Sequence, residues 1–274
     1  VTLNHRQWRF ICDEPAVGRW NMAVDEAILN AVGSGQQPPT LRLYAWDPAC
    51  LSLGVSQLVS DADGAAIAAQ RWDIVRRPTG GRAILHTDEL TYSLAVPADH
   101  ELSKLDILSS YRKISTALII ALDVLGANPR SERRTESAAK KPNAVCFETP
   151  SHYEITSGGR KLVGSAQMRR KAGLLQHGTL PLFGDVARIC DVLRYDQEGE
   201  REAAKITVRQ RATTLAEVCG HPVPWDEAAA AVADGFRAAF EVELIEAELS
   251  NPEFDDATLL EAAKYGAADH IYAR

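Results

Sequence analysis

The stretch YEITSGGRKLV, Tyr153 to Val163, reads as a β-hairpin, with one arm at Tyr153 to Ile155, a turn at Ser157-Gly158-Gly159 and a second arm at Lys161 to Val163. Paired glycines supply positive φ without steric penalty, which a short hairpin turn needs to match the twist of its strands. A hairpin makes antiparallel neighbours. Strands interleaved with helices but joined by hairpins therefore point to an α+β chain with a mixed sheet, not to a doubly wound parallel one.

Downstream of the hairpin, the apolar runs at Leu174-Leu175 and Leu180 to Phe183 predict a further strand. Upstream, Leu90, Tyr92, Leu94 and Val96 alternate until Pro97. Thr40 to Trp46 sets Leu41, Leu43 and Ala45 against Arg42, Tyr44 and Trp46 before Asp47-Pro48 turns the chain. The period lengthens from Leu105 to Leu125, where Leu108, Tyr111, Ile114, Ser115, Leu118 and Leu122 form one helical stripe and Gly126 stands where a C-terminal cap belongs. Val24, Ala27, Ile28 and Ala31 predict another helix, capped by Asn21 and ending at Val32 before Gly33. PRSERRTESAAKKPNA, Pro129 to Ala144, has no apolar period and reads as a long exposed loop. Beyond Gly184 the spacing predicts alanine-rich helices at Asp185 to Leu193, Trp225 to Phe240 and Asp256 to Tyr265. The expected organisation is a mixed-sheet core over 1–183 with a mostly helical segment, 184–274, packed on it as one domain in all.

Composition removes several function classes. With 274 residues, 46% hydrophobic and 24% charged, the chain has material for a substantial core. A net charge of −7 disfavours general nucleic-acid binding. No apolar run reaches the roughly 18 residues that span a bilayer, so no membrane role is expected, and the opening VTLNHRQWRF lacks the apolar core of a signal peptide. Cys12, Cys50, Cys146, Cys190 and Cys219 are scattered, odd in number and without a C-x-x-C pair. That excludes a disulfide framework and a zinc site and points to the reducing cytoplasm.

Three segments carry possible chemistry. In RRPTGGRAILH, Arg76 to His86, Gly80-Gly81 allow a ligand close to backbone amides, and Arg76, Arg77 and Arg82 suit phosphate or carboxylate; a tight turn with solvated arginines explains the same residues. It is neither a P-loop nor G-x-G-x-x-G. Cys146 follows the basic stretch, where cations favour a thiolate, and Lys161 lies on the second hairpin arm. A cysteine–lysine pair suits acyl transfer, the ammonium stabilising the thiolate and the amine taking up a proton, although a free cysteine is ordinarily a small buried hydrophobe. Cys190 is assigned that plain role, on an apolar face with Val186, Ile189 and Leu193. In GRKLVGSAQ, Gly159 to Gln167, the small Gly164, Ser165 and Ala166 leave room for a ligand chain. Downstream, His177-Gly178 offers a donor to a carbonyl, or a satisfied structural histidine; His86 and His152 are equally ambiguous.

NMAVDE at Asn21 to Glu26, RRPTGGRAILH, GRKLVGSAQ and LQHGTL at Leu175 to Leu180, in this order, resemble the biotin/lipoate protein ligase superfamily. The resemblance spans Asn21 to Leu180 and is specific only in combination. It implies a mixed, mainly antiparallel sheet flanked by helices and a hydrophobic acyl tunnel beside the RRPTGG loop. ATP-dependent lipoate ligases carry a third glycine where this chain has Arg82 and lack a cysteine at the position of Cys146. With CFETPSHYE, the chain instead resembles the octanoyltransferases. That branch implies an acyl-thioester on Cys146 and a Lys161 that lowers the thiol's pKa. It also implies acyl carrier protein as donor, a lysine of a lipoyl domain (glycine cleavage H protein or 2-oxoacid dehydrogenase E2) as acceptor, and no need of ATP or metal. Expected substrate-binding residues are Arg76, Gly80, Gly81, Arg82, His86, Gly164, Ser165, Ala166, His177 and Gly178. Cations at Arg76, Arg77, Arg82, Arg130, Arg133, Arg134, Lys140 and Lys141 would steer acidic carriers, or merely solvate a loop. The competing readings are an ATP-dependent lipoate ligase with an incidental Cys146, an amidotransferase between lipoyl domains, and a non-catalytic carrier-binding module.

Overall fold

The computed structural model describes residues 6–132 and 154–272. In chain order the elements are β1 (Gln7–Cys12), α1 (Gly18–Gly33), β2 (Thr40–Tyr44), β3 (Cys50–Leu53), α2 (Gly64–Ala69), β4 (Asp73–Arg76), β5 (Ile84–His86), β6 (Glu89–Pro97), α3 (Glu101–Lys104) and α4 (Ile107–Val124). They continue with β7 (Arg130–Glu132), β8 (Glu154–Ser157), β9 (Arg160–Arg170), β10 (Gly173–Pro181), α5 (Glu198–Arg211), α6 (Leu215–Cys219), α7 (Trp225–Phe240), β11 (Glu243–Glu246), α8 (Asn251–Leu260) and α9 (Ala268–Ile271).

Among the described residues the strands form an eight-stranded sheet, ordered β11-β1-β2-β6-β10-β9-β8-β7, and a three-stranded sheet, β4-β3-β5. β1 is parallel to both β11 and β2 and β3 is parallel to β4, while the other pairs are antiparallel, so the expected mixed, mainly antiparallel α+β architecture is the one found. The hairpin is there, with both turn glycines at positive φ (57° and 74°). α1 and α8 cover one face of the large sheet and α4 and α7 the other, which explains why β2 and β6 are buried on both faces rather than alternating in and out. The small sheet makes a separate apolar cluster with Ala187, Ile189, Cys190 and Val208, so Cys190 has the buried position its face predicted.

The differences from the expectations have local causes. Asn21 does not cap α1, which starts at Gly18. Its amide instead donates to the Ala16 and Ala45 carbonyls at 3.1 and 3.0 Å, stitching the helix to the end of β2. Asp185 to Leu193 contains a tighter 3₁₀ coil at Val186–Val192 rather than an α-helix. The last predicted helix begins earlier, at Asn251, where the Ser250 amide donates to Glu253 (2.9 Å). The Pro129 to Ala144 loop begins with β7, and its remainder lies outside the described residues, as do Cys146, His152, Arg133, Arg134, Lys140 and Lys141. The segment after Gly184 contributes β11 to the large sheet as well as helices. Among the described residues no helix is long and apolar enough to cross a membrane.

Candidate active site

Between β4 and β5 the RRPTGGR loop is shaped from inside by its own arginines. Arg76 donates to the carbonyls of Gly54 (2.9 Å), Gln57 (2.6 Å) and Ile271 (2.8 Å), fastening the loop to α9. Arg77 donates to the carbonyls of Ser52 (2.9 Å), Gly80 (2.9 Å) and Arg82 (2.7 Å). Both guanidinium groups are buried, and these bonds are made to backbone oxygens of the protein itself, not turned toward an incoming anion. Arg82 is half-buried and, among the described residues, makes no side-chain bond, so it is the loop's outward cation. Gly81 sits at φ 96°. Its carbonyl would lie 2.0 Å from a Cβ on Gly54, so the loop and the end of β3 touch backbone to backbone.

Below the loop a narrow slot, its empty space about 310 Å³ with the adjoining open solvent counted, separates the small sheet from β6, β9 and β10. Met22, Tyr44, Trp46 and Ile84 give it apolar surface, and the small Gly164 and Ala166 keep it open. Two histidines join its walls. His177 Nδ1 meets Asp25 at 3.2 Å and Nε2 meets the Thr79 hydroxyl at 2.7 Å. Burial pushes His177 down, against the pull of Asp25, so the ring is neutral near pH 7. Asp25 can only accept, since burial, which favours its neutral form, is outweighed by the bonds from His177 and Arg42 that hold its pKa low. The ring therefore donates from Nδ1 and accepts the Thr79 proton at Nε2. In the second chain His86 meets Glu89 at 2.7 Å and Ser52 at 2.8 Å, and lies stacked on Trp46 with centroids 3.9 Å apart. Glu89 also accepts from the Thr91 and Thr179 hydroxyls. The hydroxyls and imidazoles of the wall are thus paired with one another, and an apolar chain entering the slot strands none of them.

Lys161, second in β9, has its ammonium 2.9 Å from Glu154 on β8, each side chain 3% exposed. A Cβ on Gly164 would stand 3.8 Å from Lys161 Nζ, which places the ammonium at the edge of the slot. The structure thus brings together Lys161, Gly164, Ala166, His86, His177 and Gly178. From the RRPTGGR loop it is Arg77 that lines the slot and Thr79 that reaches His177, while Gly80 and Gly81 are not among the lining residues. Ser165 faces the opposite side of the sheet, where its hydroxyl meets Tyr92 at 2.8 Å. Arg76 turns to α9. Asp25, Glu89, Ser52 and Glu154 were not anticipated. For Glu154 a signal existed, since it lies two residues from Thr156, the partner of Lys161 across the hairpin, and such diagonal positions bring opposite charges together.

The family model for the lipoyl protein ligase A/B catalytic domain matches residues 18–237. Octanoyltransferase LipM of Kyrpidia tusciae is 39% identical, the match covering 97% of this chain and 99% of that protein. Octanoyltransferase LipM of Bacillus subtilis is 37% identical, over 99% of this chain and 100% of that one. Among solved structures, a bipartite lipoate protein ligase from Thermoplasma acidophilum superposes with a TM-score of 0.82 at 23% identity, covering 98% of this chain and 97% of its own, a likeness of fold.

Proposed function

The chain belongs to the lipoyl protein ligase A/B catalytic-domain family, and from that premise we infer an octanoyltransferase of lipoate biosynthesis that passes octanoyl from acyl carrier protein to a lipoyl-domain lysine through a Cys146 thioester. Full-length likeness to named octanoyltransferases selects the acyl group. The observation that carries the chemistry is the apolar slot of mutually paired walls with a buried ammonium at its edge. Octanoyl brings six methylenes; at about 0.8 kcal/mol each, a dry slot contributes on the order of 5 kcal/mol to seating the chain.

In the first step the Cys146 sulfur bonds to the thioester carbonyl carbon, and the carrier leaves as its thiolate. In the second, the acceptor lysine, arriving as neutral amine, bonds to the same carbon. The Cys146 sulfur departs as thiolate, ready for the next cycle, and the proton that the amine gives up passes to solvent, where it balances the thiolate released with the carrier. Lys161 supplies fixed positive charge for the thiolate and for the developing oxyanion. The donor is already activated, so the balance closes without ATP. The half-buried Arg82, whose side chain makes no bond among the described residues, offers positive charge to an acidic carrier. The reaction belongs in the cytoplasm, in keeping with five scattered cysteines, odd in number and without a C-x-x-C pair.

Intact-protein mass spectrometry after mixing with octanoyl-acyl carrier protein, without ATP, tests this. A hydroxylamine-labile octanoyl adduct on the wild type and none on Cys146→Ala is expected. Lipoyl-domain modification that needs lipoate and ATP and survives Cys146→Ala would place the protein among the ligases instead.

A further inference from the structure

The Lys161–Glu154 pair is costly to hold where it is. Both charges are 3% exposed, and taking each ion out of water costs several kcal/mol, so a well-packed apolar pair would serve stability as well or better. The position of the pair answers to the slot. A Cβ on Gly164 would stand 3.4 Å from Lys161 Cε, 3.8 Å from Nζ and 4.0 Å from Thr179 Cγ2, so the ammonium lies beside a slot-lining residue that has no side chain. The backbone of Lys161 is held from both flanks, paired to Thr156 on β8 and accepting from the Thr213 amide at 3.0 Å. The side-chain end is fixed by the carboxylate. Glu154 reaches it because the pairing shifts register between Ile155 and Thr156, which adjusts the diagonal across the hairpin.

We propose that Glu154 is a positioning residue for Lys161, holding its Nζ against the slot wall and keeping it an ammonium where water cannot. A lysine at this depth without an opposite charge sheds its proton, because desolvation penalises the charged form. Glu154 sets its carboxylate 2.9 Å from Nζ, so the lysine is held as a cation beside the slot. This rests on the reading that Lys161 serves acyl transfer, and it adds the group on which that service depends.

The test is a cycle of octanoyl transfer rates for wild type, Glu154→Gln, Lys161→Met and the double variant, with melting temperatures for each. Glu154→Gln is expected to lower kcat about tenfold or more, equivalent to about 1.4 kcal/mol, with donor KM nearly unchanged. Glu154→Asp recovers part of it, and Glu154→Gln costs nothing further once Lys161 is Met. Equal losses in both backgrounds would make Glu154 independent of Lys161 and overturn the inference, as would an unchanged kcat in folded Glu154→Gln while Lys161→Met is slow. Full activity in Lys161→Met would instead remove the underlying reading, and the inference with it. Should Glu154→Gln not fold, Glu154→Asp carries the same comparison, because it keeps the charge and withdraws it by one methylene.

Discussion

Replacing Gly164 with alanine probes the acyl slot without altering any group that reacts. A Cβ there would stand 3.4 Å from Lys161 Cε, 3.8 Å from Nζ and 4.0 Å from Thr179 Cγ2, all ordinary contact distances, so the fold accepts the methyl. What the methyl occupies is slot, beside the ammonium. If one methylene of the bound chain loses its seat, the loss is about 0.8 kcal/mol. If the chain is pressed into the wall, overpacking costs about 1–3 kcal/mol. At about 1.4 kcal/mol per factor of ten, kcat/KM for an octanoyl donor falls roughly four- to 160-fold while the melting temperature holds. Steady-state transfer from hexanoyl, octanoyl and decanoyl carrier proteins gives the assay, with preference expected to move toward the shorter chain. A folded Gly164→Ala enzyme with unchanged kcat/KM and unchanged preference would put the acyl chain somewhere else and refute the slot. Gly178→Ala is the opposite control. Its Cβ would lie 2.6 Å from the Gly164 carbonyl and from Tyr92 Cε1, forcing β9, β10 and β6 apart, so stability falls with every donor.

The Asp25–His177–Thr79 chain predicts a pH signature. A buried histidine whose pKa is lowered on folding contributes stability that is complete above its unfolded value, about 6.5, and is lost as pH falls toward the folded value; His177→Gln should therefore flatten the dependence of urea midpoint on pH below about 6.5, and an unaltered slope would mean that His177 is not held neutral. Gly54→Ala tests the loop, since its Cβ would meet the Gly81 carbonyl at 2.0 Å; displacement of the RRPTGG loop should raise donor KM several-fold, and unchanged transfer kinetics would detach that loop from substrate binding.

The framework was legible where one local rule decided it. The turn at Gly158-Gly159, the stripe from Leu108 to Leu122 and the run from Leu90 to Val96 each state their element through turn chemistry or period. α5 escaped because Val208 is its one buried residue and its support is ionic, from Lys205 to Asp191 and from Arg201 to Glu198. β11 escaped because four residues with only Leu244 turned inward make no pattern, and its pairing with β1 joins positions more than 200 residues apart.

The site divides along the same line. Lys161, His86, His177 and Gly164 stand in segments whose composition already suggested a ligand, and the slot gathers them. The acidic partners were invisible because a carboxylate on a strand or helix reads as a solvated charge until topology gives it a cation or a hydroxyl. Asp25 lies in an apolar helical run and becomes intelligible only when β2 brings Arg42 and β10 brings His177 against α1. Arg76 shows the converse error. Near two glycines an arginine reads as an anion receptor, but here the guanidinium is filled by the backbone carbonyls of Gly54 and Ile271, which a buried fork fits as well as it fits a phosphate. The outward Arg82 and inward Arg76 are six residues apart with the same side chain. What separates them is which of the two faces the backbone oxygens of β3 and α9, and that depends on the assembled fold.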